Sequence, residues 1–322
     1  MTTRRDFLKS SAFALLGTGC ATLPSVAPTG GRLLPLGFST LGCPQWTWTQ
    51  ILDFAMRHGF PAIELRGLQE HVDITKHPEL SAPRLLGVRQ QLDDCGVSVV
   101  CLGSSAMMHE RDRYASIGHV LDALRYIDLA RALGAPYVRV FGDRYLPDEP
   151  HEATRARIAA TLRGLGGYAR EQGVTVLIES HGDFTDSPSL REILERADSP
   201  GVALLWDAHH TFAASGEPPA ETVARVGRWI RHTHLKDSVP AATGRRYVLT
   251  GTGEVPVQQQ VEVLAKAGYG GLYSFEWEKR WHPEIEEPEV AIAHYAEVAS
   301  SYLRRAGLGS ARSGMSIHHV GG

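Results

Sequence analysis

The chain has 322 residues but few cysteines: Cys20, Cys43, Cys95 and Cys101, with no CxxC pair among them. That scarcity argues against a disulfide framework and against a cysteine-built zinc cage. Cys95 and Cys101 flank or sit inside a predicted strand and read as buried thiols. Charge of one sign is also lacking, since 33 basic and 36 acidic side chains leave a formal net charge of −3. Such a balance argues against nucleic acid or an anionic membrane surface as partner. No GxGxxG follows the first predicted strand, so a dinucleotide fold has no support. A P-loop and a basic cluster to hold a phosphate are missing as well. What is present is a chain with 43% hydrophobic residues, long enough to bury a large core.

The first thirty residues differ in kind from the rest. Arg4-Arg5-Asp6-Phe7-Leu8-Lys9 precedes an apolar run over 12–16 that is too short to span a bilayer. The segment reads as a signal peptide, and its paired arginines resemble a twin-arginine export signal. The expected location is therefore the periplasm. Two processing points compete: Cys20, which would carry a lipid anchor, and the small-x-small Ser25-Val26-Ala27. The expected organisation is a signal peptide and linker over 1–30, a single domain over 31–308 and a flexible tail over 309–322. His318 and His319 in that Gly/Ser-rich tail read as tail and not as ligands.

From Leu36 onward, short apolar runs alternate with longer amphipathic stretches. The predicted strands are 36–39, 62–65, 97–103, 137–141, 175–180, 202–207, 230–236 and 271–276. The predicted helices are 51–58, 82–95, 117–133, 152–172, 190–197, 220–226, 257–267 and 288–306. Strand starts recur about every 34 residues, the spacing of βα units. Gly59, Gly96, Gly134, Gly173 and Gly268 each stand between a helix and the next strand, as helix C-caps do. Eight such units predict an α/β fold, a closed (β/α)8 TIM barrel, over an open parallel sheet.

In a parallel barrel the chemistry sits at the C-terminal ends of the strands. Four polar residues end the last four predicted strands: Glu179 in Ile-Glu-Ser-His, Asp207 in Trp-Asp-Ala-His-His, His234 in His-Thr-His-Leu-Lys-Asp, and Glu276 in Phe-Glu-Trp-Glu. A charged group ending a buried strand is costly unless it is paired or bound to metal. Three carboxylates brought together repel unless a cation sits among them. The mixed oxygen and imidazole set suits one divalent ion, Mn, Mg, Co or Zn. His232 lies two residues before His234 and faces the same side, and Glu278 stands in the same relation to Glu276, so each competes for its ligand position.

These motifs resemble the xylose-isomerase-like barrel superfamily of sugar isomerases and epimerases, over the whole span from the first strand to the last helix. The resemblance implies Glu179, Asp207, His234 and Glu276 as the metal set and His210, three residues after the aspartate, as a substrate contact. It also implies Glu179 and Glu276 as base and acid on opposite faces of the substrate. In the ketose 3-epimerase branch an arginine follows the metal histidine by six residues. Here that position is Pro240, while Arg245 and Arg246 come later in a longer loop, with Arg246 the candidate substrate contact.

A divalent ion that chelates a carbonyl and its neighbouring hydroxyl stabilises the enediolate left when the intervening C–H is lost. A carboxylate within hydrogen-bond reach must take that proton. The implied activity is metal-dependent isomerisation or epimerisation of a sugar or polyol. A lyase or dehydratase acting on a keto-sugar, keto-inositol or 3-keto-glycoside is the alternative, and a non-catalytic sugar-binding barrel ranks below both. The DNA-repair branch of the superfamily needs a trinuclear site and a basic surface, and neither is evident. His181 reads as a substrate contact or a partner of a ligand. Lys236 reads as a group that polarises a carbonyl or as half of a rim salt bridge. Glu64 and Arg66 end the second strand and could pair with each other, with Glu64 a further substrate-binding candidate. Trp46, Trp277 and Trp281 read as packing before stacking on a sugar. A homodimer through exposed barrel helices is compatible with the sequence.

Overall fold

The structure, a computed structural model, describes residues 33–308. The expected signal segment with Cys20, and the tail with His318 and His319, lie outside the described residues. Eight strands run parallel: β1 (Leu36–Ser39), β2 (Ala62–Leu65), β3 (Ser98–Met107), β4 (Tyr137–Phe141), β5 (Thr175–Glu179), β6 (Val202–Asp207), β7 (Ile230–Leu235) and β10 (Tyr273–Phe275). They close into a barrel in which β10 pairs with both β7 and β1. Two further strands, β8 (Asp237–Pro240) and β9 (Arg245–Val248), form a separate antiparallel hairpin.

Helices fill the connections: α1 (Trp48–His58), α2 (Leu85–Cys95), α3 (Arg113–Leu133), α4 (His151–Glu171), α5 (Ser187–Ala197), α6 (Ala208–Ser215), α7 (Pro219–Val226), α8 (Val257–Lys266) and α9 (Pro288–Arg305). Local chemistry sets their ends. Thr47 and Gln50 form a capping box at the start of α1, and Gly59 closes that helix in the left-handed conformation with φ of 71°. Gly96 and Gly134 close α2 and α3 in the same way. The predicted (β/α)8 TIM barrel is therefore the fold.

The strands are buried on both faces and alternate by two, as a covered parallel sheet requires. Val176 and Ile178 of β5, with Leu204 and Trp206 of β6, pack outward in the main core shared with the helices. Leu177, Ala203 and Leu205 point the other way and meet Cys101 of β3 in a small interior cluster. Glu179 and Asp207 continue that inward row at the next pleat, so the register that fills the barrel below also aims both carboxylates into its mouth.

Several element boundaries differ from the sequence reading, two of them in barrel strands. β3 runs on to Met107, because a register shift past Gly103 lets Met107 pair with Phe141. The eighth barrel strand spans three residues instead of 271–276. Neither α6 nor the β8–β9 hairpin was foreseen. Cys101 is fully buried as expected, but Cys95 is only partly buried against the core, since it ends α2 one residue before the capping Gly96.

Candidate metal centre and cavity

The base of the site lies inside the barrel. Glu64 of β2 is fully buried, and its Oε2 accepts from Nε2 of both His232 and His234, each at 2.8 Å. Its Oε1 accepts from Ser39 Oγ at 3.2 Å. Burial works against the Glu64 anion, yet the two imidazoles outweigh it and hold the carboxyl below its usual range. A Glu64–Arg66 pair does not form. Glu64 points inward one pleat below the mouth, whereas Arg66 follows the strand and donates to Ser105 Oγ at 3.1 Å.

One pleat higher, His234 turns Nδ1 toward three carboxylates. Glu276 Oε2 lies 3.2 Å away, Glu179 Oε1 3.3 Å and Asp207 Oδ2 3.9 Å. The ligand atoms of these four buried residues all lie within 4.8 Å of one another. β5, β6, β7 and β10 are successive neighbours in the ring, so the four strand ends form one arc of the mouth. His232 stays below, on Glu64, and Glu278 stands to the side. The geometry thus groups His234 and Glu276, and not His232 and Glu278, with Glu179 and Asp207.

Three carboxylate oxygens and one imidazole nitrogen fit a divalent cation. With Nε2 held by Glu64, the imidazole offers Nδ1 as the ligating atom, and a carboxylate behind a ligating histidine fixes the ring and its tautomer. Asp207 has a second task. Its Oδ1 accepts the backbone N–H of His210 at 2.9 Å and so caps α6, which begins where β6 stops.

Lys236 follows β7 and is completely buried. Its ammonium lies 2.7 Å from Asp207 Oδ2 and 2.8 Å from Glu278 Oε1, and also contacts Glu276 Oε2. Burial disfavours this cation, but the three carboxylates outweigh it and keep Lys236 charged well beyond its usual range. Burial likewise pushes Asp207 up, and the charges of His210 and Lys236 pull it down to about 2. Glu276 is held low in the same way by His234 and Lys236. Glu278 goes the other way: burial raises its carboxyl and Lys236 only partly offsets that.

Above the cluster opens a cavity of about 150 Å³. Glu179, Glu276, His181 and His210 line it, and so do two residues the sequence reading left aside, Arg139 and Tyr247. Arg139 of β4 forms an ion pair with Glu179, its Nε 3.0 Å from Oε2. An arginine in mid-strand was the available signal for it. His181 packs against Phe141 and edge-on to His210, with ring centroids 4.5 and 5.0 Å apart. Arg246 is exposed on β9 and does not line the cavity. Alternate residues of a strand face opposite sides, so Tyr247 turns in where Arg246 turns out. Trp281 is exposed at the rim, while Trp277 and Trp46 are buried and donate to Glu286 O and Glu289 Oε1. His109 is buried away from the cavity, beside Glu110 and Asp143.

The hairpin that carries Tyr247 is tied down by Asp237. Its two oxygens accept four backbone N–H groups, from Ser238, Gly251, Gly253 and Val255, at 2.8 to 3.1 Å. The loop passes so close that a Cβ on Gly253 would stand 2.2 Å from Asp237 Oδ1. Gly251-Thr252-Gly253 was the sequence signal for this clamp.

Residues 52–300 match the family described as xylose isomerase-like TIM barrel. The chain belongs to this family. A curated relative, inosose dehydratase of Clostridium botulinum (strain Alaska E43 / Type E3), is 26% identical over 153 residues, covering 42% of this chain. The chain spans 50% of the length of that relative. Among solved structures, the IOLI protein with a bound zinc atom superposes with a TM-score of 0.72 at 17% identity, covering 85% of this chain and 99% of that one. An L-ribulose 3-epimerase superposes with a TM-score of 0.67 at 19% identity, covering 87% and 99%. At such identities these two structures show a shared fold. The proteins the chain resembles thus include an epimerase by fold and a dehydratase by a partial sequence match.

Proposed function

We propose that the chain is a divalent-metal-dependent enzyme that removes a proton from the carbon next to a carbonyl in a sugar or polyol derivative, to isomerise or epimerise it. The observation that carries this reading is the convergence of Glu179, Asp207, His234 and Glu276 around one point below a small cavity. A divalent ion held there supplies Lewis-acid polarisation of a carbonyl oxygen. Glu179 and Glu276 both line the cavity, from strand ends three places apart in the ring. One is placed to take a proton and the other to return it on the opposite side. Arg139 keeps Glu179 oriented, and Lys236 does the same for Glu276. His210 and His181 face the same space as hydrogen-bonding groups for substrate hydroxyls. A cavity of this size suits one small molecule and not a polymer.

A second reading, dehydration or another lyase reaction, is favoured by the sequence match to an inosose dehydratase. Glu278, which lines the cavity and whose carboxyl is held above its usual range by burial, then becomes the group beside the departing hydroxyl. The test is incubation of metal-loaded protein in deuterated water with keto-sugars, keto-inositols and 3-keto-glycosides. Deuterium uptake at unchanged formula supports isomerisation or epimerisation, and loss of water or aglycone supports the lyase. No exchange on any substrate defeats proton abstraction. Export to the periplasm rests on the Arg4-Arg5 pattern, and cell fractionation of wild type against Arg4→Lys/Arg5→Lys protein tests it.

A further inference from the structure

We propose that Arg66 and Arg139 form a carboxylate-binding subsite, so that the substrate of this site is a sugar acid. This deepens the proposed function, because it names which sugar derivatives the same cavity takes. Both arginines line the cavity, and both are nearly sealed from solvent, Arg66 at 7% and Arg139 at 2% exposure. They arrive from β2 and β4 and meet over Gly103 of β3, which lies between those strands. A Cβ on Gly103 would stand 2.6 Å from Arg66 Cδ and 3.0 Å from Arg139 Nη2. The missing side chain is what lets the two cations lie together.

Their charges are unequally matched. Arg139 has Glu179 at Nε, and its Nη1 donates to Ser104 O at 2.9 Å. Arg66 has no ion pair among the described residues. Its Nη2 donates to a neutral hydroxyl, and its buried Nη1 has no hydrogen-bond partner there. Burial, and then the charge of Arg139, lower the Arg66 pKa to about 10, as expected for two cations close enough to oppose one another. A planar anion at this point relieves the repulsion and fills the open donor, and guanidinium matches carboxylate two bonds at a time. The placement also suits a bifunctional substrate. β2 and β4 flank β3, which lies four strands from β7 in either direction round the barrel, and from that side Arg139 reaches in to Glu179. The carboxylate and the reacting carbonyl of one molecule would then be held side by side, by the arginines and by the cluster that Glu179 joins.

The test is calorimetric titration of magnesium-loaded full-length protein with D-glucuronate, D-galacturonate and D-gluconate. D-Glucose, D-galactose and glucose 6-phosphate serve as comparison ligands. At least one carboxylate is expected to bind roughly tenfold or more tightly than its neutral counterpart. Arg66→Gln is expected to erase that preference, and Arg66→Lys to restore part of it. Equal affinity for acids and neutral sugars in the wild type overturns the proposal. So do failure to bind any carboxylate, stronger binding of the phosphate than of every carboxylate, and an unchanged preference in folded Arg66→Gln. Should Arg66→Gln not fold, the wild-type comparison decides alone. Binding is read without turnover, so an Arg66-dependent preference stands even where deuterium exchange fails, and the converse holds.

Discussion

His234 donates its Nε2–H to Glu64 Oε2 across 2.8 Å, joining β7 to β2 through the barrel interior. The acceptor fixes which nitrogen faces the carboxylates above, and His232 shares the same oxygen. Glu64→Gln removes the charge while nearly keeping the shape, so metal affinity is expected to fall about 10- to 100-fold. Titration of metal into metal-free protein measures this. Unchanged affinity would show that Glu64 does not orient His234.

The four proposed ligands should act as a set. Glu179→Gln, Asp207→Asn and His234→Ala are each expected to lower bound metal per chain, read by elemental analysis after dialysis. Saturating metal stabilises only a chain that binds it when folded, by about 2.7 kcal/mol at a hundredfold excess over Kd. Wild-type protein should therefore melt lower after chelation, and His234→Ala should not change. Equal metal content in all variants would place the ion elsewhere.

Asp237 anchors the hairpin through four backbone N–H groups. Replacing it with alanine leaves four donors without that acceptor, those of Ser238 and Val255 buried, at a cost of about 2 to 4 kcal/mol. Denaturant unfolding should show that loss, and limited proteolysis should open the chain between residues 241 and 254. If Asp237→Ala is as stable and as protease-resistant as wild type, the clamp carries no weight.

The barrel and the arc of ligand candidates were legible because both depend on short-range pattern. Apolar runs of strand length, glycines after helices, and a polar residue closing each late strand all appear within a few positions of one another. What escaped depends on contacts across the barrel. Glu64 looked like a partner for Arg66 because both end β2, but the histidines it meets are about 170 positions away in sequence. Arg139 reads as a mid-strand residue until its inward pleat is known. Arg246 and Tyr247 are adjacent in sequence, and only the phase of β9 decides which of them enters the cavity.

His209 offers a test of how much the buried site depends on its charges. The side chain is 2% exposed, and Nε2 lies 2.7 Å from Ser238 Oγ. Burial, and then the positive Lys236, hold its pKa at about 3, against about 6.5 in an unfolded chain. The folded protein therefore keeps this imidazole neutral where the unfolded chain protonates it. Its contribution to stability is complete above about pH 6.5. It is lost as pH falls toward 3, because the unfolded state binds the extra proton. One such group gives a slope of about 1.4 kcal/mol per pH unit within that window. His209→Asn can still bond to Ser238 but cannot titrate. Denaturant unfolding of metal-free protein at pH 7, 6, 5 and 4 should thus show the wild type losing stability faster than His209→Asn at each step. Parallel curves for the two proteins would mean that His209 is already free to protonate in the fold, and that Lys236 does not act on it as a buried cation.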